Sequence, residues 1–291
     1  MTLPTSPPPL THLAPDRLLV YLANGHIGLR VGRVPLLDGL AIVNGFWGLH
    51  PKDGIPAFAP APYPLAGDIT IDGARASTSP GSIRFVDQRL DFATGELTSR
   101  FVFRADGTAA QVEVVTFASR TDPALVLQEL MVRCDRDADI GLTASIGTTG
   151  VQGRWIDADA IPRGEPPTAD AWLAWEGVGG AARLGLVIAI ERDDREDEPK
   201  VEIREPRCLV SVTREVRARA GVPVRIRSIV GMVPDVAHPR PHRQAALLVA
   251  RGLARGWDAL REANRAAWSD LWRGRPLIDA PGNWQRLVDA S

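Results

Sequence analysis

The chain has 291 residues, 45% of them hydrophobic and 24% charged, with a formal net charge of -1. These are ordinary globular values, which exclude a disordered chain and allow a sizeable core. The near-zero charge excludes a strongly basic nucleic-acid surface, and no apolar run approaches the length of a membrane span. Two cysteines, Cys134 and Cys208, are too few for a disulfide framework and sit in strand-like runs, so they read as two buried thiols. Residues 1–15 contain five prolines and neither a charged n-region nor an apolar h-region. They read as an extended lead-in and not as a signal peptide. The expectation is a soluble, cytoplasmic protein.

Leu18-Leu19-Val20-Tyr21-Leu22 and Ile27-Gly28-Leu29-Arg30-Val31 read as short strands around Asn24-Gly25. A second Asn-Gly pair, Asn44-Gly45, again interrupts strand-like sequence. Glycine tolerates positive φ, so both pairs predict tight turns or a close-approach surface. Pro51, Pro56, Pro60, Pro62 and Pro64 make residues 49–64 a long ordered loop and not a central strand, because proline withholds a ladder donor. Phe46, Trp47, His50, Phe58 and Tyr63 lie in or beside it, and structured loops of this kind are often functional.

From Gly67 onward the chain is a succession of strands. Residues 68–71 end in Asp72-Gly73, and residues 97–104 and 109–117 flank Asp106-Gly107, a strong hairpin signal. Residues 124–134 and 140–146 read as a further pair joined through Asp135-Arg136-Asp137. More strands are expected at 171–175, 184–191, 201–204, 208–216 and 222–230, with the charge-dense 191–198 as a solvated hairpin tip. Many short strands between turn signals predict a sandwich or barrel, not βαβ units.

The character changes at Pro234. Pro241 is placed near a helix start, and Ala245, Leu248, Val249 and Leu253 form one apolar stripe. Gly256 interrupts it. Trp257, Leu260, Asn264, Ala267, Trp268, Leu271 and Trp272 then form a second helical face, with three tryptophans, that must pack on something substantial. Gly274 closes that helix. Asn283 reads as the N-cap of another helix cut off within its opening turns, so a further domain is expected to follow. The expected organisation is a lead-in (1–15), a β-sandwich (16–236) and a helical linker (237–291).

Catalytic chemistry is sparse. No His, Cys, Asp or Glu cluster has metal-ligand spacing, and neither a nucleophile elbow nor a phosphate loop is present. Gly25-x-x-Gly28 lacks a βαβ context. No metal or cofactor is expected, and no catalytic residue is assigned. Asp87 and Asp91 can be drawn as a glycosidase-type carboxylate pair, but a turn and an exposed strand position explain them as well. Trp47 and Tyr63 are the first choices for stacking on sugar rings; the same aromatics could equally staple the loop to the core.

Five segments in order carry a resemblance. Asn24-Gly25-His26-Ile27-Gly28-Leu29-Arg30 resembles an N-G-x-x-G-x-R opening, and Val43-Asn44-Gly45 a glycine-bearing turn. Gln88 to Leu97 resembles Q-x-L-D-x-x-x-G-x-L. Thr116 to Pro123 resembles T-x-x-x-R-x-x-P, and Trp268-Ser269-Asp270-Leu271-Trp272 a W-x-x-L-W linker. Together they resemble the N-terminal region of glycoside hydrolase family 65, which includes maltose, trehalose and kojibiose phosphorylases and acid-trehalase-like α-glucosidases. The resemblance implies a large two-sheet antiparallel β-sandwich of the galactose-mutarotase-like type, C-terminal linker helices and then an (α/α)6 barrel. In the family that barrel holds the catalytic glutamate.

This chain is therefore expected to be a non-catalytic supporting domain with an α-glucoside or other carbohydrate as ligand. Its implied partners are the barrel and a second copy in a homodimer. Asn24, Arg30, Trp47 and Tyr63 are the residues expected to reach sugar. The alternatives are a stand-alone carbohydrate-binding module that uses the proline loop, and an aldose epimerase. The epimerase reading needs strand-borne histidines, and the histidines here lie at loops and ends.

Overall fold

The structure, a computed structural model, describes residues 20–50, 52–161, 168–191, 199–204, 209–277 and 284. Tight glycine turns set the first strands. Gly25 (φ 91°) joins β1 (Val20–Ala23) to β2 (Ile27–Val31), and Gly45 (φ 88°) separates β3 (Gly39–Val43) from β4 (Trp47–Leu49). The proline-rich stretch is not wholly loop. It contains β5 (Pro56–Phe58), which pairs with β4, and runs into β6 (Tyr63–Ile71). Prolines are tolerated there because Pro56 lies in a two-stranded ribbon and Pro64 lies where the β6 pairing is irregular.

Asp72-Gly73 and Asp106-Gly107 both take left-handed backbone at both positions, as type I′ hairpins require. The first turns β6 into β7 (Ala74–Arg75). The second joins β9 (Glu96–Ala105) to β10 (Thr108–Ala118), after β8 (Ile83–Asp91). The chain continues through β11 (Leu125–Cys134), β12 (Ala138–Gly147), β13 (Arg154–Ala160), β14 (Ala171–Glu176) and β15 (Arg183–Ile190). It then forms β16 (Lys200–Arg204), β17 (Leu209–Ala218) and β18 (Pro223–Pro234), followed by α1 (Pro241–Arg255) and α2 (Trp257–Arg273).

Among the described residues, two large antiparallel sheets dominate. One has eight strands in the order β13-β14-β15-β18-β11-β10-β9-β8, and the other five in the order β16-β17-β12-β6-β7. Their inner faces interleave alternate residues, such as Val112 and Val114 of β10 with Ile140, Leu142 and Ile146 of β12, in one continuous core. The fold is a mainly β, two-sheet sandwich followed by two C-terminal helices.

The expected pairing of residues 124–134 with 140–146 is corrected. β11 pairs with β10 and β18, whereas β12 pairs with β6 and β17. The Asp135-Arg136-Asp137 link is a crossover between sheets. Its carboxylates accept from the backbone of other turns, Ala109 N to Asp135 (2.9 Å) and Ala220 N to Asp137 (2.8 Å), and so pin it to neighbouring corners. Cys134 is a buried free thiol; Cys208, the lead-in, the tip at 192–198 and the Asn283 cap lie outside the described residues.

The helices pack on the outer face of the eight-stranded sheet and form a second apolar layer. Phe117, Leu127, Val187 and Ile229 from the sheet meet Ala245, Val249, Trp257 and Leu260 from the helices. Two strand glycines make this approach possible. A Cβ on Gly185 would overlap the backbone of Pro241 and His242, and one on Gly231 would lie 2.9 Å from Val249 Cγ2. The central strands are thus buried on both faces, which is why Ile229-Val230-Gly231-Met232-Val233 is a continuous apolar run and not an alternating one. His242 stacks on Trp172 at 4.5 Å and seats the start of α1.

Candidate functional site

Four of the segments that read separately in the sequence meet at one corner. The Asn24 side chain accepts from His26 N (2.9 Å) and Ile27 N (2.8 Å), and donates to Ser119 O (2.7 Å) and Pro123 O (2.9 Å). Both amide hydrogens and the carbonyl oxygen are engaged within the protein. Arg120 donates from Nη1 to Asn24 O (3.2 Å) and from its backbone N to Asn264 Oδ1 (2.9 Å). Asn264, fully buried in α2, donates in turn to Thr94 O (2.9 Å). The Arg120 guanidinium lies 5.6 Å over Trp268, whose ring fills the space that a Cβ on Gly95 would need. Trp272 Nε1 donates to Phe92 O.

Two charge clusters clamp α2 beside this corner. Arg227 is buried against the Trp257 ring at 4.6 Å and pairs with Glu129, with Glu191 (3.1 Å) and with Asp258 (2.7 Å). Glu96, also buried, takes bidentate bonds from Arg261 (2.8 and 2.7 Å) and from Arg265 (2.7 and 3.0 Å). Burial alone would push the Glu96 carboxyl up, but the two guanidiniums outweigh it and hold it below the usual carboxylate range. Glu191, at the edge of the expected solvated tip, therefore belongs to a helix clamp.

The outer face of the five-stranded sheet is different. It lines an open cavity of about 1340 Å³. Cross-strand register places Asp68, Thr143, Thr213 and Lys200 in one row, and Ala66, Ser145, Ser211 and Glu202 in the next. Thr143 and Thr213 share a hydroxyl hydrogen bond of 2.9 Å. Tyr63 joins this face through an irregularity. Ala66 faces Ser145 but Tyr63 faces Gly147, so three steps along β6 match two along β12 and the extra residue turns Tyr63 outward. Its ring lies against Gly39, and its hydroxyl is buried with no hydrogen-bond partner. Burial, with the charge of Asp38 behind it, raises the phenol well above its ordinary value.

The four residues singled out from sequence thus occupy three places. Arg30 and Tyr63 come together around Asp38, which lies 4.0 Å from Arg30 Nη2. Asn24 sits at the turn end of the same hairpin, inside the α2 corner. Trp47 is 37% exposed on β4, directly opposite Phe58, which is 80% exposed. Asp87 pairs with Arg100 (3.3 Å), while Asp91 closes its own turn by accepting from Ala93 N (2.9 Å). The hydroxyl rows were not singled out from sequence. Their only signal was the alternation Ile140-Gly141-Leu142-Thr143-Ala144-Ser145-Ile146. Among the described residues, no group of His, Cys, Asp and Glu could hold a metal ion.

A search of curated protein sequences finds no match. Among solved structures the chain is similar to a protein assigned as a kojibiose phosphorylase, from the human microbiome, with a TM-score of 0.69 and 14% identity. That match covers 90% of this chain and 37% of the other, so the chain spans well under half of that protein's length. A second match is the GH36 α-galactosidase AgaA from Geobacillus stearothermophilus in complex with raffinose. It has 11% identity and a TM-score of 0.36 over 75% of this chain and 40% of that one, too low to support any inference. Residues 16–271 match the profile of the glycosyl hydrolase family 65 N-terminal domain. The chain therefore belongs to glycosyl hydrolase family 65, through that family's N-terminal domain.

Proposed function

We propose that this chain is the non-catalytic, supporting sandwich of a cytoplasmic hydrolase or phosphorylase that acts on an α-glucoside, and that its helix pair positions an (α/α)6 catalytic barrel. The observation that carries this reading is the clamp on α2. Glu96, Arg227, Asn264 and Trp257 are buried where sheet and helix meet, and their bonds leave α2 one orientation on the sandwich. A helix held so firmly is suited to fixing the position of whatever packs beyond it, and Leu271, near its end, is 49% exposed. The buried polar side chains of the clamp itself, Glu96, Arg227 and Asn264, are engaged in ion pairs and hydrogen bonds, as befits a scaffold.

Trp47 and Arg30 keep exposed surface and are assigned to the rim that faces the barrel, while Asn24 and Tyr63 hold the loops behind them. Incubation of the purified chain with maltose, trehalose and kojibiose, with and without inorganic phosphate, is expected to release neither glucose nor glucose 1-phosphate. Release above the enzyme-free blank sinks the non-catalytic reading. Joined to a family-65 barrel, the chain is expected to give a soluble, active protein, and Glu96→Gln is expected to lower the temperature at which that activity is lost.

A further inference from the structure

We propose that the outer face of the five-stranded sheet is a binding groove for a neutral oligosaccharide, separate from any barrel site. Four observations converge on it. The face lines an open cavity of about 1340 Å³, ample for several sugar rings. Its floor carries the half-buried hydroxyls of Thr70, Thr143 and Thr213, with the buried Ser145 and Ser211 and the small Gly141 between them, laid out in rows by the strand register. Hydroxyls that both donate and accept, repeated at the strand spacing of about 4.8 Å, suit the alternating donors and acceptors of a pyranose chain.

The charges on the lining cancel. Four acidic and four basic side chains contribute, and Lys200–Glu202 (3.0 Å) and Arg217–Asp139 (2.8 Å) already neutralise one another. A phosphate or nucleic acid would find no excess of positive charge. A protein partner would find no large apolar anchor in the floor rows. Lastly, Tyr63 supplies a buried hydroxyl without a partner in the lining, beside Leu36 and Leu37. A polyol at that end provides the bond that the fold leaves unmade.

With no aromatic platform across its floor, the groove binds through hydroxyl bonds, at a dissociation constant on the order of 1 mM. The test is an NMR titration of the full chain with maltotetraose and cellotetraose, and with inorganic phosphate and an unstructured peptide as competing probes. A neutral tetrasaccharide is expected to shift amides of β6, β12 and β17 saturably, with no effect of added salt. The double variant Thr143→Val/Thr213→Val removes the mutual hydrogen bond as a pair and keeps the side-chain shapes; it is expected to weaken binding about ten-fold. Gly141→Leu fills the groove from a position whose added Cβ meets the Thr70 and Thr213 side chains at ordinary contact distances of 3.5 and 3.8 Å, and is expected to abolish the shifts.

Absence of shifts on this face at about 20 mM sugar, twenty times the expected constant, overturns the proposal. So do saturable shifts here with phosphate or peptide alone, or sugar shifts confined to the Trp47–Phe58 hairpin. Unchanged binding in both variants, with unfolding curves showing that each is folded, overturns it as well. The titration requires no barrel, so its outcome is independent of the supporting role.

Discussion

The two outer faces of this sandwich have opposite chemistry. On the eight-stranded sheet, Phe117, Leu127, Val187 and Ile229 point outward and are covered by α1 and α2. On the five-stranded sheet, the outward positions are Thr70, Thr143, Ser145, Ser211 and Thr213, and the face lines an open cavity. Glycine serves both faces for different reasons. Gly185 and Gly231 lie under helix α1, with no room for a side chain, whereas Gly141 leaves its neighbours at ordinary contact distance. An outward face that is apolar must be covered; one lined by hydroxyls can stay open to solvent or to a ligand.

The sharpest way to break this contrast is to remove the anchor of the covered face. Trp257 is fully buried, edge-on to Phe117 at 5.5 Å and beneath two guanidiniums. Trp257→Ala is expected to cost about 4 kcal/mol in urea unfolding. Next comes the glycine pair. Gly185→Ala forces α1 off the sheet and is expected to cost about 3 kcal/mol, while Gly141→Ala on the open face should stay within about 0.5 kcal/mol. Similar losses for the two would erase the distinction between the faces.

Glu96→Gln ranks third. It leaves Arg261 and Arg265 without their carboxylate and is expected to cost about 2 kcal/mol at neutral pH. The same group sets a pH dependence. Its folded pKa lies below the unfolded one, so its contribution is complete above the unfolded value of about 4.3 and disappears as pH falls through the folded value. Urea midpoints measured downward from pH 5 should fall more steeply for the parent than for Glu96→Gln. Parallel curves would mean that the clamp carries no net charge stabilisation. Smallest of all, Thr143→Val/Thr213→Val should leave stability within about 0.5 kcal/mol while weakening sugar binding.

Much of the covered face was legible in the sequence, and almost none of the open one. The apolar stripe of Ala245 and Val249, the break at Gly256 and the tryptophans of α2 announce two helices with a surface to bury. Helical periodicity is a local property, so it survives without knowledge of the partner. The positive φ of Gly25, Gly45 and Gly107 was readable for the same reason. The link 135–137 was not, because Asp-Arg-Asp has the composition of a hairpin turn and of a crossover alike. Its course depends on the amides of Ala109 and Ala220, distant in sequence. The Thr and Ser of β12 and β17 show only an alternating pattern along each strand, since their rows exist only once the register is set.

Asn24 shows the division most directly. By itself the sequence determined that Asn24-Gly25 would be a tight turn, that most of the chain would be strands and that it would end in helices. Each of these rests on backbone preference or hydrophobic period within a few residues. Only the tertiary structure decided that the Asn24 amide would be spent on Ser119 and Pro123, that Arg120 would tie that turn to Asn264 of α2, and that an irregularity in β6 would turn Tyr63 toward the open face. The physical reason is that hydrogen-bond partners and sheet register are long-range choices. They are made by the packing of the whole chain and leave no local trace in the residues that carry them.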